Sequence, residues 1–273
     1  MTTCGKWPVG ICSWSLQQDI EQIVGSLQEL TLDHIHLAVG PALESDGQRY
    51  LDVIRAQTWT VSATMIGFDQ EDYSTLESIK ATGGIGPDEH WAQNRDIVCR
   101  AIDLTAELGV KYLAFHAGFI DHTQPALVKT FYERMKILAD AAAEKQIMLL
   151  METGQETAEE LVQFLKEINH PALGVNFDPA NMILYDKGDP IEALRTLGPW
   201  IKHLHVKDAT RTQTPGAWGV EVPWGQGEVP HETFLNTLKE IDYAGTLAIE
   251  REAGDDRLGD IRLAVEALSR YTL

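Results

Sequence analysis

Four apolar runs in the second half of this chain each finish on a residue able to hold a metal ion. IMLLMETG carries Glu152, ALGVNFDP carries Asp178, IKHLHVKD carries His205 and TLAIERE carries Glu250. A bare carboxylate at the end of an apolar run is costly unless it is paired or bound to a cation. In a parallel sheet the C-terminal tips of consecutive strands lie side by side on one rim, so residues distant in sequence can converge there. Three carboxylates and one imidazole suit a single divalent ion: Mn2+, Mg2+, Co2+ or Zn2+. The dispersed Cys4, Cys12 and Cys99 supply neither a structural zinc site nor a disulfide framework.

Each residue also has a plainer reading. Glu152 can be a solvated strand end. Asp178 precedes a proline, and Asp-Pro is a common helix opening in which the aspartate caps. In Lys202-His-Leu-His-Val-Lys-Asp208, residues 203, 205 and 207 share one strand face. If that face points inward, His203 is a hydrogen-bonded core histidine, His205 is the ligand nearer the rim, and Lys207 overhangs the site. Glu252 has the parity of Glu250 but lies further out. His116 ends the run YLAFH and is read as a substrate-binding group. Trp14, and Trp218 and Trp224 from a later loop, offer faces for a sugar, although buried tryptophans more often only pack.

The elements that must place these residues alternate throughout. Strands are expected at Val9–Ser15, Ile35–Val39, Thr60–Gly67 and Tyr112–His116, then ending at Glu152, Asp178, His205 and Glu250. Helices are expected at Asp19–Leu30, Gln48–Gln57, Asp88–Leu108, Gln124–Glu144, Thr157–Ile168, Pro190–Leu197, His231–Ile241 and Leu258–Arg270. Eight strand–helix repeats in 273 residues favour a closed (β/α)8 TIM barrel, one domain over residues 1–273. No GxGxxG follows the first strand and no Walker pattern occurs. Thr210–Pro230 exceeds ordinary loop lengths and reads as a lid or subunit contact. Within it, Gly225-Gln-Gly227 is a turn rather than a phosphate cradle, so a neutral sugar is at least as well suited as a phosphorylated one.

A formal charge of -19 disfavours nucleic acid and anionic membranes as partners. No run of eighteen apolar residues and no leader-like start is found, which points to the cytoplasm.

The segments LLMETG, GVNFDPAN, IKHLHVKDATR, VPWGQGEV and GTLAIE, in this order, resemble the xylose isomerase-like superfamily, in its sugar phosphate isomerase/epimerase branch. That branch includes barrels of the AP endonuclease type. The resemblance implies Glu152, Asp178, His205 and Glu250 as metal ligands, with Glu152 and Glu250 also exchanging protons with substrate carbon. It implies that Arg211, six positions after the ligand histidine, contacts substrate. Asn181 stands where the epimerases usually carry a histidine; an amide can hydrogen-bond a sugar hydroxyl but is no base near neutral pH. Related barrels are often dimers or tetramers, which admits a homo-oligomer here.

Isomerisation and epimerisation beside a carbonyl both require loss of a carbon-bound proton and stabilisation of an enediolate. The expectation is therefore a metal-dependent isomerase or epimerase acting on a small carbohydrate. Lys207, Arg211, Asn181, His116 and Trp14 are the expected substrate-binding residues. A lyase of the inosose dehydratase kind is the alternative. An AP endonuclease-like DNA phosphodiesterase and a non-catalytic sugar-binding barrel rank lower.

Overall fold

The structure, a computed structural model, describes residues 2–120 and 122–271. Its eight parallel strands are β1 (Trp7–Cys12), β2 (His34–Ala38), β3 (Thr60–Met65), β4 (Tyr112–Phe115), β5 (Met148–Glu152), β6 (Leu173–Phe177), β7 (Ile201–Val206) and β8 (Leu247–Ile249). Each pairs with its neighbours in sequence, and β8 returns to β1 with Leu247 opposite Val9 and Ile249 opposite Ile11. The sheet therefore closes, and the fold is the expected (β/α)8 TIM barrel. A two-residue strand, Thr3–Cys4, folds back antiparallel onto Trp7–Pro8.

The surrounding helices start where polar side chains can satisfy their first amides. Asp19 and Gln22 form a reciprocal cap on Ile20–Leu30, and Thr157 with Glu160 does the same for Ala158–Ile168. Each of these two helices buries one stripe, Ile23, Leu27 and Leu30 in the first and Leu161, Phe164 and Leu165 in the second. These stripes face the sheet, where Trp7, Phe115, Phe177 and Phe234 are fully buried between the two layers.

Several boundaries differ from expectation. The first strand stops at Cys12, and Ser13–Leu16 forms a 3-10 turn that carries Trp14. The helix expected from Asp88 begins at Trp91, because the Asp88 carboxylate is taken by Arg134 of the Pro125–Glu144 helix rather than by helix amides. Three further helices, Gly40–Leu43, Leu76–Thr82 and Pro179–Leu184, lie outside the expected helix ranges, and the last is the one that the Asp178-Pro179 pair opens. The Thr210–Pro230 segment is partly ordered: Val220–Val222 pairs antiparallel with Asp208–Thr210.

Strand register sets the heights at the C-terminal rim. Asn176 lies opposite both Glu152 and His203, so Asp178 and His205, each two residues further along, rise on the same side. His205 lies opposite Ala248, which puts Glu250 two residues higher on β8's extension. The register slips beside Asn176 and again beside His36, and such irregularities re-aim side chains near sites.

Candidate metal centre and cavity

The four residues expected as ligands meet. Glu152, Asp178, His205 and Glu250 each offer one donor atom, and these atoms all lie within 4.8 Å of one another. His205 Nδ1 is 3.1 Å from Glu152 Oε1, 3.2 Å from Glu250 Oε2 and 3.6 Å from Asp178 Oδ2. All four side chains are buried. Ligands on opposite sides of an ion bound at about 2.0–2.6 Å stand roughly 4–5 Å apart, so the spacing fits one divalent cation.

Hydrogen bonding agrees with that fit. His205 Nδ1, Asp178 Oδ2 and Glu152 Oε2 are buried with no hydrogen-bond partner, although nearly all buried polar atoms find one. The other oxygen of Asp178 is occupied: Oδ1 accepts from Ala180 N at 2.8 Å and Asn181 N at 3.1 Å, capping Pro179–Leu184. Capping and facing the cluster are thus both true of Asp178, one through each oxygen.

Behind His205, Nε2 is met by His36 Nδ1 at 3.0 Å and the Asn176 amide nitrogen at 3.2 Å. Asn176 Oδ1 in turn meets His203 Nδ1 at 2.8 Å, and Ser62 Oγ meets His203 Nε2 at 3.0 Å. His203 is therefore the hydrogen-bonded core residue it was expected to be. Such outer partners orient a ligating imidazole.

The two glutamates are held alike. On Glu152, Oε1 accepts from the Asn181 side-chain amide at 3.2 Å, and Oε2 faces His116 Nε2 at 3.4 Å. On Glu250, Oε1 accepts from the Trp14 indole at 2.7 Å, and Oε2 from Lys207 Nζ at 2.9 Å. Each thus has a neutral donor on one oxygen and a basic group on the other. Burial favours protonated Glu250, but His205 and Lys207 overcome it and hold the carboxyl well below its usual range. Burial likewise opposes ionised Glu152, and His116 and His205 bring its pKa down. Asp178 is raised by burial, against the pull of Lys207. For His205, burial works against the imidazolium, yet Cys12, Glu250 and Glu152 push its pKa well above the ordinary value. The Cys12 thiol is itself pushed up to about 12, chiefly by burial, so near neutral pH the carboxylates carry that effect.

Above the cluster opens a cavity of about 730 Å³, whose lining includes Trp14, His116, Asn181, Lys207 and Glu250. Lys207 overhangs the cluster as expected, but it is spoken for: besides Glu250 it meets Glu252 Oε2 at 2.7 Å. Trp218 also lines the cavity. Trp224 does not; it stacks on His231 at 4.0 Å between ring centres. Arg211 is placed elsewhere too. Its guanidinium bonds Asp186 Oδ1 at 2.5 Å and Gly188 O at 3.1 Å, and it is absent from the lining.

Sequence reasoning passed over His36, Asn176, Glu71, Tyr73, Tyr185 and Glu221. For His36 and Asn176 a signal existed, a polar residue at inward parity within an apolar strand. For the others none did, because segments outside the barrel strands bring them to the cavity.

A closed barrel with a carboxylate–imidazole cluster at its C-terminal rim defines the class. The chain belongs to the xylose isomerase-like TIM barrel family, which matches residues 64–271. Among solved structures it is similar to a xylose isomerase domain protein from Planctomyces limnophilus, at 31% identity and a TM-score of 0.88, over 97% of this chain and 96% of that one. It shares its fold with a xylose isomerase-like TIM barrel protein from Mycobacterium smegmatis in complex with magnesium, at 21% identity and a TM-score of 0.73, over 99% and 98% of the two chains. Among curated proteins it is 28% identical over 166 residues to an L-ribulose-5-phosphate 3-epimerase of Salmonella typhi. That match spans 58% of this chain and 56% of the relative, about half its length. No helix among the described residues is long and apolar enough to cross a membrane.

Proposed function

We propose that this protein is a divalent-metal-dependent isomerase or epimerase acting on a small sugar or keto-sugar, with Glu152 and Glu250 as the proton-transfer groups. The observation that carries the reading is the matched pair of buried glutamates, each kept ionised by a basic neighbour at a shared cluster. The name of the Salmonella relative is consistent with it.

A carbon-bound proton beside a carbonyl is weakly acidic, and its removal needs an ionised base within reach. Glu250 is such a base because Lys207 stabilises its charge, and Glu152 because His116 does. Glu152, Asp178, His205 and Glu250 would hold the ion, whose contribution is electrophilic stabilisation of charge developing on substrate oxygens. One glutamate takes the proton as the C–H electron pair moves toward the carbonyl, leaving an enediolate. Return to the same carbon on the same face only regenerates the substrate. Delivery to the former carbonyl carbon, with the neighbouring hydroxyl giving up its proton to become the new carbonyl, gives isomerisation. Return to the original carbon by the second glutamate, on the other face, gives the epimer. The Asn181 and Trp14 N–H groups fix the carboxylate planes, so the base need not reorient.

The test is deuterium exchange into a panel of ketoses and keto-polyols, followed by NMR with and without Mn2+. Exchange at one carbon is expected, and Glu152→Gln and Glu250→Gln should each lower it by roughly 10²–10⁴. Parental exchange rates in both variants, once shown folded and metal-loaded, would refute the assignment. The same spectra would expose a lyase as the signal of a hydroxyl-bearing carbon replaced by that of an unsaturated one, with water lost and no carbon lost.

A further inference from the structure

The loops after the seventh and eighth strands of a TIM barrel are a frequent seat for a substrate phosphate, held by clustered backbone N–H groups and helix N-termini. Here those amides are bound by the chain's own carboxylates. Asp208 is buried and accepts on Oδ2 from Gly225 N and Gly227 N, each at 3.0 Å, with His231 Nε2 at 2.9 Å. Its Oδ1 accepts from Ala209 N at 2.9 Å and Val229 N at 3.1 Å. Glu221 does the same for the loop after β8: Oε1 accepts from Glu252 N at 2.9 Å, Ala253 N at 3.3 Å and the Arg251 guanidinium at 2.5 Å. Across the cavity, Glu71 Oε1 accepts from Gly84 N at 2.9 Å.

The cations are taken as well. Lys207 is shared by Glu250 and Glu252, with Asp178 Oδ2 at 3.6 Å and Glu221 Oε2 at 3.9 Å. Arg251 spans Glu221 and Asp260, and Arg211 is held by Asp186. Among the described residues, the cavity lining therefore sets Glu71, Glu221, Glu250 and Glu252 against Lys207 and His116, each already facing a glutamate. The remaining wall is largely aromatic and aliphatic, with Trp14, Tyr73, Tyr185 and Trp218 available to stack on the C–H face of a sugar.

We infer that the site takes an unphosphorylated, uncharged polyhydroxy ketone, because Glu221 and Glu71 line the cavity and themselves take the loop amides there that a phosphate would need. Asp208 ties up those of the turn at 225–229, outside the lining. A phosphate dianion entering the cavity meets like charge and finds no free donor cluster to replace its water. Hydroxyl groups face no such penalty, since carboxylates accept from them. This inference rests on the isomerase or epimerase reading for its ketone, and it separates the chain from the relative whose name specifies a phosphate ester.

The experiment pairs each free sugar with its ester on the full, Mn2+-loaded chain: L-ribulose with L-ribulose 5-phosphate, and D-fructose with D-fructose 6-phosphate. Binding is read by calorimetry and by tryptophan emission, and deuterium exchange is followed on the same four compounds. At least one free sugar should bind, its ester roughly 10²-fold or more weakly, and inorganic phosphate should not compete. An ester that binds as tightly as its sugar, competition by inorganic phosphate, or binding of neither free sugar overturns the inference. Free sugars that bind without exchange would sink the proposed chemistry while leaving the substrate class standing. Exchange confined to the esters would do the reverse.

Discussion

Asp178 shows how one side chain can satisfy two readings of its sequence context. The Asp-Pro pair announces a helix cap, and the apolar run before it announces a barrel strand ending at the rim. Both hold because a carboxylate has two oxygens: Oδ1 takes the amides of Ala180 and Asn181, while Oδ2 stays without a hydrogen bond and faces His205 and Lys207. The two roles separate by substitution. Asp178→Asn keeps an acceptor for the cap and loses the charge, so Mn2+ affinity should fall about tenfold or more, read by calorimetry. Asp178→Ala loses the cap as well, and its metal-free form should be less stable than that of Asp178→Asn by about 0.5–2 kcal/mol. Equal melting of the two variants would show the cap to be idle, and parental Mn2+ affinity in Asp178→Asn would remove Asp178 from the ligand set.

The ribbon after β7 is the element that sequence described least well. Its order comes from contacts across the segment: Val220 opposite Thr210, Glu228 N on Ala209 O, and the amides gathered on Asp208. Gly227 is fixed by that gathering, because a Cβ there would lie 2.1 Å from Asp208 Oδ1 and 2.6 Å from Ala209 O. Gly227→Ala should therefore loosen residues 210–230 while leaving the barrel folded. The check is limited proteolysis: faster cutting within the segment with a far-ultraviolet circular dichroism spectrum unchanged, whereas parental resistance would show that the loop does not depend on Asp208. The last four barrel strands are legible because each is a largely apolar run ending at a charged or ionisable residue, and the four cluster residues because they are those ends. Leu76–Thr82 was missed because LESIKAT is short and runs into a glycine-rich stretch; its local signal was the Thr75–Ser78 cap. Asp88 misled because a distant Arg134 takes its carboxylate, and Trp224 because His231, seven residues on, supplies its stacking partner. Those partners are set by tertiary packing, which local pattern does not contain.

At the scale of the whole molecule, charge decides what the cluster needs. The chain carries a formal charge of -19, and three of its carboxylates are buried around one imidazole. Without an ion, Lys207, His116 and the raised basicity of His205 offset them. A divalent cation that binds the folded chain alone would stabilise it by about 2.7 kcal/mol at a hundredfold excess over its dissociation constant. At roughly 2–4 °C per kcal/mol for a chain of this size, chelation should lower the melting temperature by about 5–10 °C. So acidic a surface also gathers divalent ions diffusely, and that would mimic the effect. Salt separates the two, since at 0.15 M the screening length is about 8 Å and diffuse attraction fades while a buried site is little screened. The shift should therefore persist at that ionic strength and shrink in Asp178→Asn. A melting temperature indifferent to Mn2+, Mg2+, Co2+ and Zn2+ in salt would take the metal out of the proposal and leave two glutamates to move a proton without it.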